Sequence, residues 1–233
     1  MNDQPIKLSS LHANLIANGA NMINIDGWIS ASSFSGVQKE LNAMKMDLGI
    51  TDISRLGKFK VESPELSKVL ESTGVNIQPG EVIHQTKKQS KSKLVKLARV
   101  STNELWITSD SINSIANIET NYLNSKFNFE LFEITSGFTG IRIIGPHAPD
   151  LLSELTDLNV SLTSLKNLSC VQTMFIQVYG LLIKDDYNEI PAYDLFVDRA
   201  YGLYVWESIV KLGNRYRVSL VGTKAVNILE STK

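Results

Sequence analysis

Two hydrophobic periods alternate along the whole chain, with only short connections between them. Phe59 and Val61 alternate with Lys58 and Lys60, the two-residue period of a half-buried strand. Val37, Leu41 and Met44 recur instead at helical spacing. Strands and helices interleaved in this way, with hairpins and few residues to spare between them, argue for an α+β fold with antiparallel sheet.

The pattern can be followed from one end to the other. Leu11 to Ala20 reads as a short helix or turn, and Met22 to Trp28 as a strand broken at Asp26-Gly27. Ser32 and Ser33 are candidate caps for a helix carrying Val37, Leu41, Met44 and Leu48 and ending at Gly49. Strands follow at Ile50 to Ile53 and Gly57 to Val61. Ser63-Pro64-Glu65 then opens a helix that buries Leu66, Val69 and Leu70. Val82 to Thr86, Leu94 to Val100 and Glu104 to Thr108 read as strands, with the four lysines of Lys87 to Lys93 at an exposed hairpin tip. A helix is expected from Ser109 to about Leu123. From Phe129 a second, similar round begins. It has strands at Phe129 to Thr135 and Phe138 to Ile144, a helix after Gly145-Pro146, and strands at Met174 to Ile183 and Tyr193 to Val197. A helix from Arg199 to Leu212 with Leu203, Trp206 and Ile209 inside, a strand at Val218 to Val221 and a last short helix complete it.

Composition narrows the function classes. A chain of 233 residues can bury a substantial core without staples. Its 23 basic and 24 acidic side chains leave a formal charge of -1, so no overall field draws in nucleic acid or an anionic membrane. Cys170 is the single cysteine, which excludes an internal disulfide and fits a reducing compartment; a small buried apolar role is expected for it. Met1 to Ser10 lacks the apolar core of a secretory signal, and no run approaches the roughly 18 apolar residues of a membrane span. The expected location is the cytoplasm.

The familiar catalytic signatures are missing. Gly36, Gly49 and Gly57 are isolated and form no phosphate loop. His12, His84 and His147 are far apart and lack metal-ligand spacing, so no metal is expected. Ser136-Gly137 is no nucleophile elbow, since glycine flanks only one side. The late aromatic residues, from Phe175 through Tyr193 and Phe196 to Tyr201, Tyr204 and Trp206, have the spacing of a core, with a stacking surface for a flat ligand as the alternative.

Longer segments carry a resemblance. Leu11-His12, Gly19-Ala20, Gly27-Trp28, Glu40 and Ala43 precede the run Leu48-Gly49-Ile50-Thr51-Asp52-Ile53-Ser54-Arg55-Leu56-Gly57-Lys58-Phe59. Pro79-Gly80, Gly145-Pro146-His147-Ala148 and Tyr193 to Val197 with Val205-Trp206 follow in order. Over nearly the whole chain this resembles the glycine cleavage T-protein (aminomethyltransferase) family. The resemblance implies two similar antiparallel-sheet and helix subdomains, residues 1–125 and 126–233, around a central cavity without the family's C-terminal barrel. It also implies tetrahydrofolate as the ligand in related enzymes, and Asp52, Arg55, His84 and Glu189 as the polar side chains nearest the cavity.

The same resemblance marks departures. Where the family's enzymes carry adjacent aspartates on a strand, this sequence has Lys93-Leu94, and the strand goes on to Lys96. A positive charge there would repel a cationic iminium. The Gly-Glu turn is replaced by Lys184 to Ala192, with Glu189 its one glutamate, and His84 stands where a tyrosine is usual. Losing two or three charge-assisted hydrogen bonds, each worth about 1.5–3 kcal/mol, weakens folate binding by roughly a few hundredfold or more. The acidic catalytic motif is thus missing. The gamma subunit of heterotetrameric sarcosine oxidase is similar in length and in the order of Gly140 to Pro146, Leu151-Leu152, Cys170 to Thr173 and Tyr193 to Trp206. That similarity implies a non-catalytic subunit that holds no flavin itself and meets flavin- and folate-bearing partners or copies of itself. The alternatives are a stand-alone folate-binding aminomethyltransferase and an iron–sulfur maturation relative, the last weakened because Cys170 lies in no K-G-C-x-x-G-Q-E segment.

Overall fold

In the computed structural model, which describes residues 6–85, 95–110, 126–161 and 164–232, the first apolar run folds as a hairpin rather than one broken strand. β2 (Asn21–Ile25) turns through Asp26 and Gly27, at φ of 51° and 85°, into β3 (Trp28–Ser33). Left-handed backbone at both turn residues matches the twist of the flanking strands, which is why an Asp-Gly pair serves here. β1 (Lys7–Leu8) pairs in parallel with β3, completing a three-stranded sheet, and α1 (His12–Ala17) buries Leu15 beside it.

Because β3 runs through Ser32 and Ser33, neither serine caps the next helix. α2 (Val37–Met46) starts after Gly36 and has no side-chain cap at that position. Glu40, one turn into the helix and fully buried, accepts the backbone N–H of Phe34 at 2.6 Å and of Gly36 at 3.1 Å. The helix also stops earlier than its spacing suggests, and Leu48 and Gly49 belong to β4 (Leu48–Asp52). A Cβ on Gly49 would lie 2.5 Å from Met44 Cγ, so the glycine lets α2 close onto its own following strand.

The chain divides into two compact units, residues 1–55, 136–167 and 172–233 in one and residues 56–135 and 168–171 in the other. Segments from both sides of residue 125 therefore enter each unit. The expected boundary itself falls at residues 111–125, outside the described residues, as do the expected lysine-rich tip and the helix after Ser109.

In the first unit, apart from the first residues of β11, a six-stranded sheet has the order β11-β12-β13-β10-β4-β14. Its strands are β11 (Ser169–Phe175), β12 (Val178–Lys184), β13 (Ala192–Asp198), β10 (Phe138–Ile144), β4 and β14 (Val218–Leu220). The expected single strand from Met174 to Ile183 is two strands joined at Ile176 and Gln177, both left-handed at φ of 44° and 67°. α4 (Ala148–Ser153), α5 (Gly202–Gly213) and α6 (Thr223–Glu230) complete the unit. One core cluster unites Leu41 and Met44 of α2 with Ile144, Ala192, and Ala225, Val226 and Leu229 of α6. α5 buries Val205, Trp206 and Ile209, whereas Leu203, expected inside, stays 41% exposed next to exposed Tyr201 and Tyr204. The buried stripe of α5 runs through Gly202, Val205, Trp206, Ile209 and Gly213, and at about 100° per residue Leu203 falls to one side of it.

The second unit is a five-stranded antiparallel sheet, β6 (Val82–Gln85), β7 (Val95–Arg99), β8 (Glu104–Ser109), β5 (Gly57–Glu62) and β9 (Glu130–Glu133), in that order. Alternation along β5 sends Phe59 and Val61 to one face, where Leu97, Leu105 and Ile107 meet Leu66, Val69 and Leu70 of α3 (Leu66–Ser72). Each such side chain contributes about 1.5–3 kcal/mol by leaving water. The fold is thus α+β with antiparallel pairing predominant. Among the described residues no helix is long and apolar enough to cross a membrane, and no strands close into a barrel.

Candidate functional site

The face of the five-stranded sheet opposite its apolar core carries the most unusual chemistry of the described residues. β6 sets His84 against Lys96 of β7, β7 sets Lys96 against Thr108 of β8, and β8 sets Thr108 against Lys58 of β5. Register thus lines up four polar side chains across four strands, a row of about 14 Å at the usual strand spacing of about 4.8 Å. Lys58 is fully buried, Lys96 and Thr108 are nearly so, and His84 is half-buried. The Lys58 ammonium donates to the Leu56 carbonyl at 2.7 Å, and its backbone N–H donates to Thr135 Oγ1 at 3.0 Å. Two lysines thus share one buried face of the sheet.

His84 therefore enters this row, but the other expected site residues lie in the first unit. Asp52 ends β4 half-buried, and its Oδ1 accepts the Ser54 N–H at 2.9 Å, which fixes the turn toward half-buried Arg55. Ser54 Oγ in turn accepts the Gly140 N–H at 3.1 Å. Glu189 is exposed in a two-residue loop closed by hydrogen bonds in both directions between Tyr187 and Ile190. Lys93 and Leu94, which the resemblance sets where the family's adjacent aspartates fall, lie outside the described residues; Lys96 follows on β7. Alternation along β5 already placed Lys58 on the polar face, but nothing in the spacing showed that this face is buried.

The first unit holds a buried charge network that the sequence reading did not single out. Arg142 on β10 faces Asp194 on β13 and grips it with two parallel bonds, Nε to Oδ1 at 2.5 Å and Nη2 to Oδ2 at 3.0 Å. Its Nη1 donates to Tyr187 Oη and to Glu230 Oε1, both at 2.6 Å, and Tyr187 donates to the same Glu230 oxygen at 2.8 Å. Burial works against the guanidinium charge, but Asp194, Tyr187 and Glu230 outweigh it and hold Arg142 well above its ordinary pKa. Burial likewise raises Tyr187 well above the usual phenol value, with Arg142 opposing and Glu230 reinforcing. Four of the five guanidinium N–H groups are engaged in this way, and the network ties α6 and the 187–190 turn to the sheet.

On the opposite side of β13, Lys184 pairs in register with Tyr193. The Lys184 ammonium is buried, donates to the Leu165 carbonyl at 2.8 Å, and lies 3.8 Å from Asp186 Oδ2. The Tyr193 hydroxyl is buried without a hydrogen-bond partner, and burial, then Asp186, raises its pKa. Cys170 is buried, its thiol directed at the Arg99 carbonyl at 3.5 Å, and burial pushes it up to about 12. Such a thiol is inert at neutral pH. Among the described residues no group of three or more His, Cys, Asp or Glu side chains is placed to hold a metal ion.

Comparison with known proteins places this geometry. The GCVT N-terminal domain family matches residues 11–232. The aminomethyltransferase of Natranaerobius thermophilus is 21% identical over 219 residues, covering 91% of this chain and 60% of that protein. That of Staphylococcus saprophyticus is 20% identical over 218 residues, covering 88% of this chain and 59% of the relative. The chain thus spans about three-fifths of the length of the curated relatives it matches. The crystal structure of the glycine cleavage system aminomethyltransferase T from Bartonella henselae superposes with a TM-score of 0.79 at 17% identity, covering 96% of this chain and 62% of that one. The heterotetrameric sarcosine oxidase from Corynebacterium sp. U-96, solved with pyrrole 2-carboxylate, gives a TM-score of 0.61 at 10% identity, covering 77% of this chain and 92% of that one. With one family matched from Leu11 to Thr232 and the fold shared with an aminomethyltransferase, the chain belongs to the GCVT N-terminal domain family.

Proposed function

We propose that this chain is an aminomethyltransferase-like protein of folate one-carbon metabolism that serves as a non-catalytic, gamma-type subunit of a sarcosine oxidase-like complex. The reading rests on the resemblance placing Lys93-Leu94 where the family's enzymes carry adjacent aspartates, followed on β7 by buried Lys96 in one row with buried Lys58. The exposed Tyr201, Leu203 and Tyr204 suit a chain that meets partners, and the sarcosine oxidase named above is a heterotetramer. The cytoplasm, with its flavin- and folate-bearing oxidases, is the expected setting.

A second reading, a stand-alone tetrahydrofolate-binding aminomethyltransferase, is favoured by the aminomethyltransferase relatives and the higher of the two structural similarities. On that reading Asp52, Arg55, His84 and Glu189 are the residues to contact folate. Calorimetric titration of the chain with tetrahydrofolate and its 5-formyl derivative separates the two. Micromolar or tighter binding that Asp52→Ala or His84→Ala weakens would overturn the subunit reading. Absence of binding, with a flavoprotein recovered in stoichiometric amount when the chain is purified from its own cells, is the outcome the subunit reading expects.

A further inference from the structure

We draw no further inference here: the strongest candidate, the groove of about 620 Å³ on the five-stranded sheet walled by Glu62, Glu104 and Glu130 in cross-strand register, is an acidic cluster with no second observation pointing to a ligand, since the buried polar atoms without a partner among the described residues, His12 Nδ1 and Tyr193 Oη, belong to the other compact unit.

Discussion

Replacing Glu40 with alanine tests whether one buried carboxylate fastens the loops of the first unit. Glu40 is fully buried, yet its two oxygens accept three backbone N–H groups: Phe34 at 2.6 Å, Gly36 at 3.1 Å and Gly222 at 2.9 Å. Gly222 is the residue before α6, and a Cβ there would strike the Ser32 backbone, so the β3–α2 loop and the start of α6 run too close for water to enter. Each donor left buried and unsatisfied costs about 1–3 kcal/mol. Allowing the loops to relax, the alanine variant should lose about 3–5 kcal/mol of the roughly 5–15 kcal/mol that a folded domain has available. Glu40→Gln keeps one acceptor oxygen and turns an amide N–H toward a backbone N–H, so it should lose about 2–3 kcal/mol. Urea unfolding followed by far-ultraviolet circular dichroism, with the slope compared between variants, reads the difference directly. A loss below about 1 kcal/mol for Glu40→Ala would refute the argument, because it would mean that the three donors find other partners or water.

Further outcomes follow from other contacts. Arg142→Met strands the nearly buried Asp194 and should destabilise by about 3–5 kcal/mol, whereas adding Asp194→Leu should recover most of that in the same unfolding assay. Tyr187 has a folded pKa above its unfolded value of about 10, so its contribution is complete below pH 10 and is lost as pH rises through the folded pKa; Tyr187→Phe should flatten that alkaline decline in a pH series of melting curves. With its pKa near 12, Cys170 should react with a thiol reagent at pH 8 about a thousandfold more slowly in the native chain than in denaturant, and equal rates would show that the thiol is accessible. Gln177→Gly relieves a left-handed residue in the β11–β12 turn and should raise the melting temperature by about 1–3 °C in calorimetry.

Much of the fold was legible because local patterns acted locally. Phe59 and Val61 alternating with lysines did mark a strand, and Leu66, Val69 and Leu70 did mark the buried stripe of a helix. The sequence misled where two short elements meet at a turn. The break at Asp26-Gly27 was legible, but not that it reverses the chain into a hairpin, and β11 and β12 merged because Ile176-Gln177 has none of the usual turn chemistry. The helix start was misassigned to Ser32 and Ser33 for another reason: the N–H of Gly36 at the start of α2 is met by Glu40 from within the helix rather than by a preceding serine.

By itself the sequence determined the α+β class, the buried character of Cys170 and the alternation that sets Lys58 opposite Phe59 and Val61, because composition, period and residue type are properties of the chain. Only the tertiary structure decided that Lys58 and Lys96 share a buried row with His84, that Asp52 and Glu189 lie in a different compact unit from it, and that Arg142 clasps Asp194 across two strands. Those facts depend on strand register and on which face is covered. A lysine carries the same charge and spacing whether its face meets water or protein, so only the paired, packed sheet can distinguish a solvated row from a buried one.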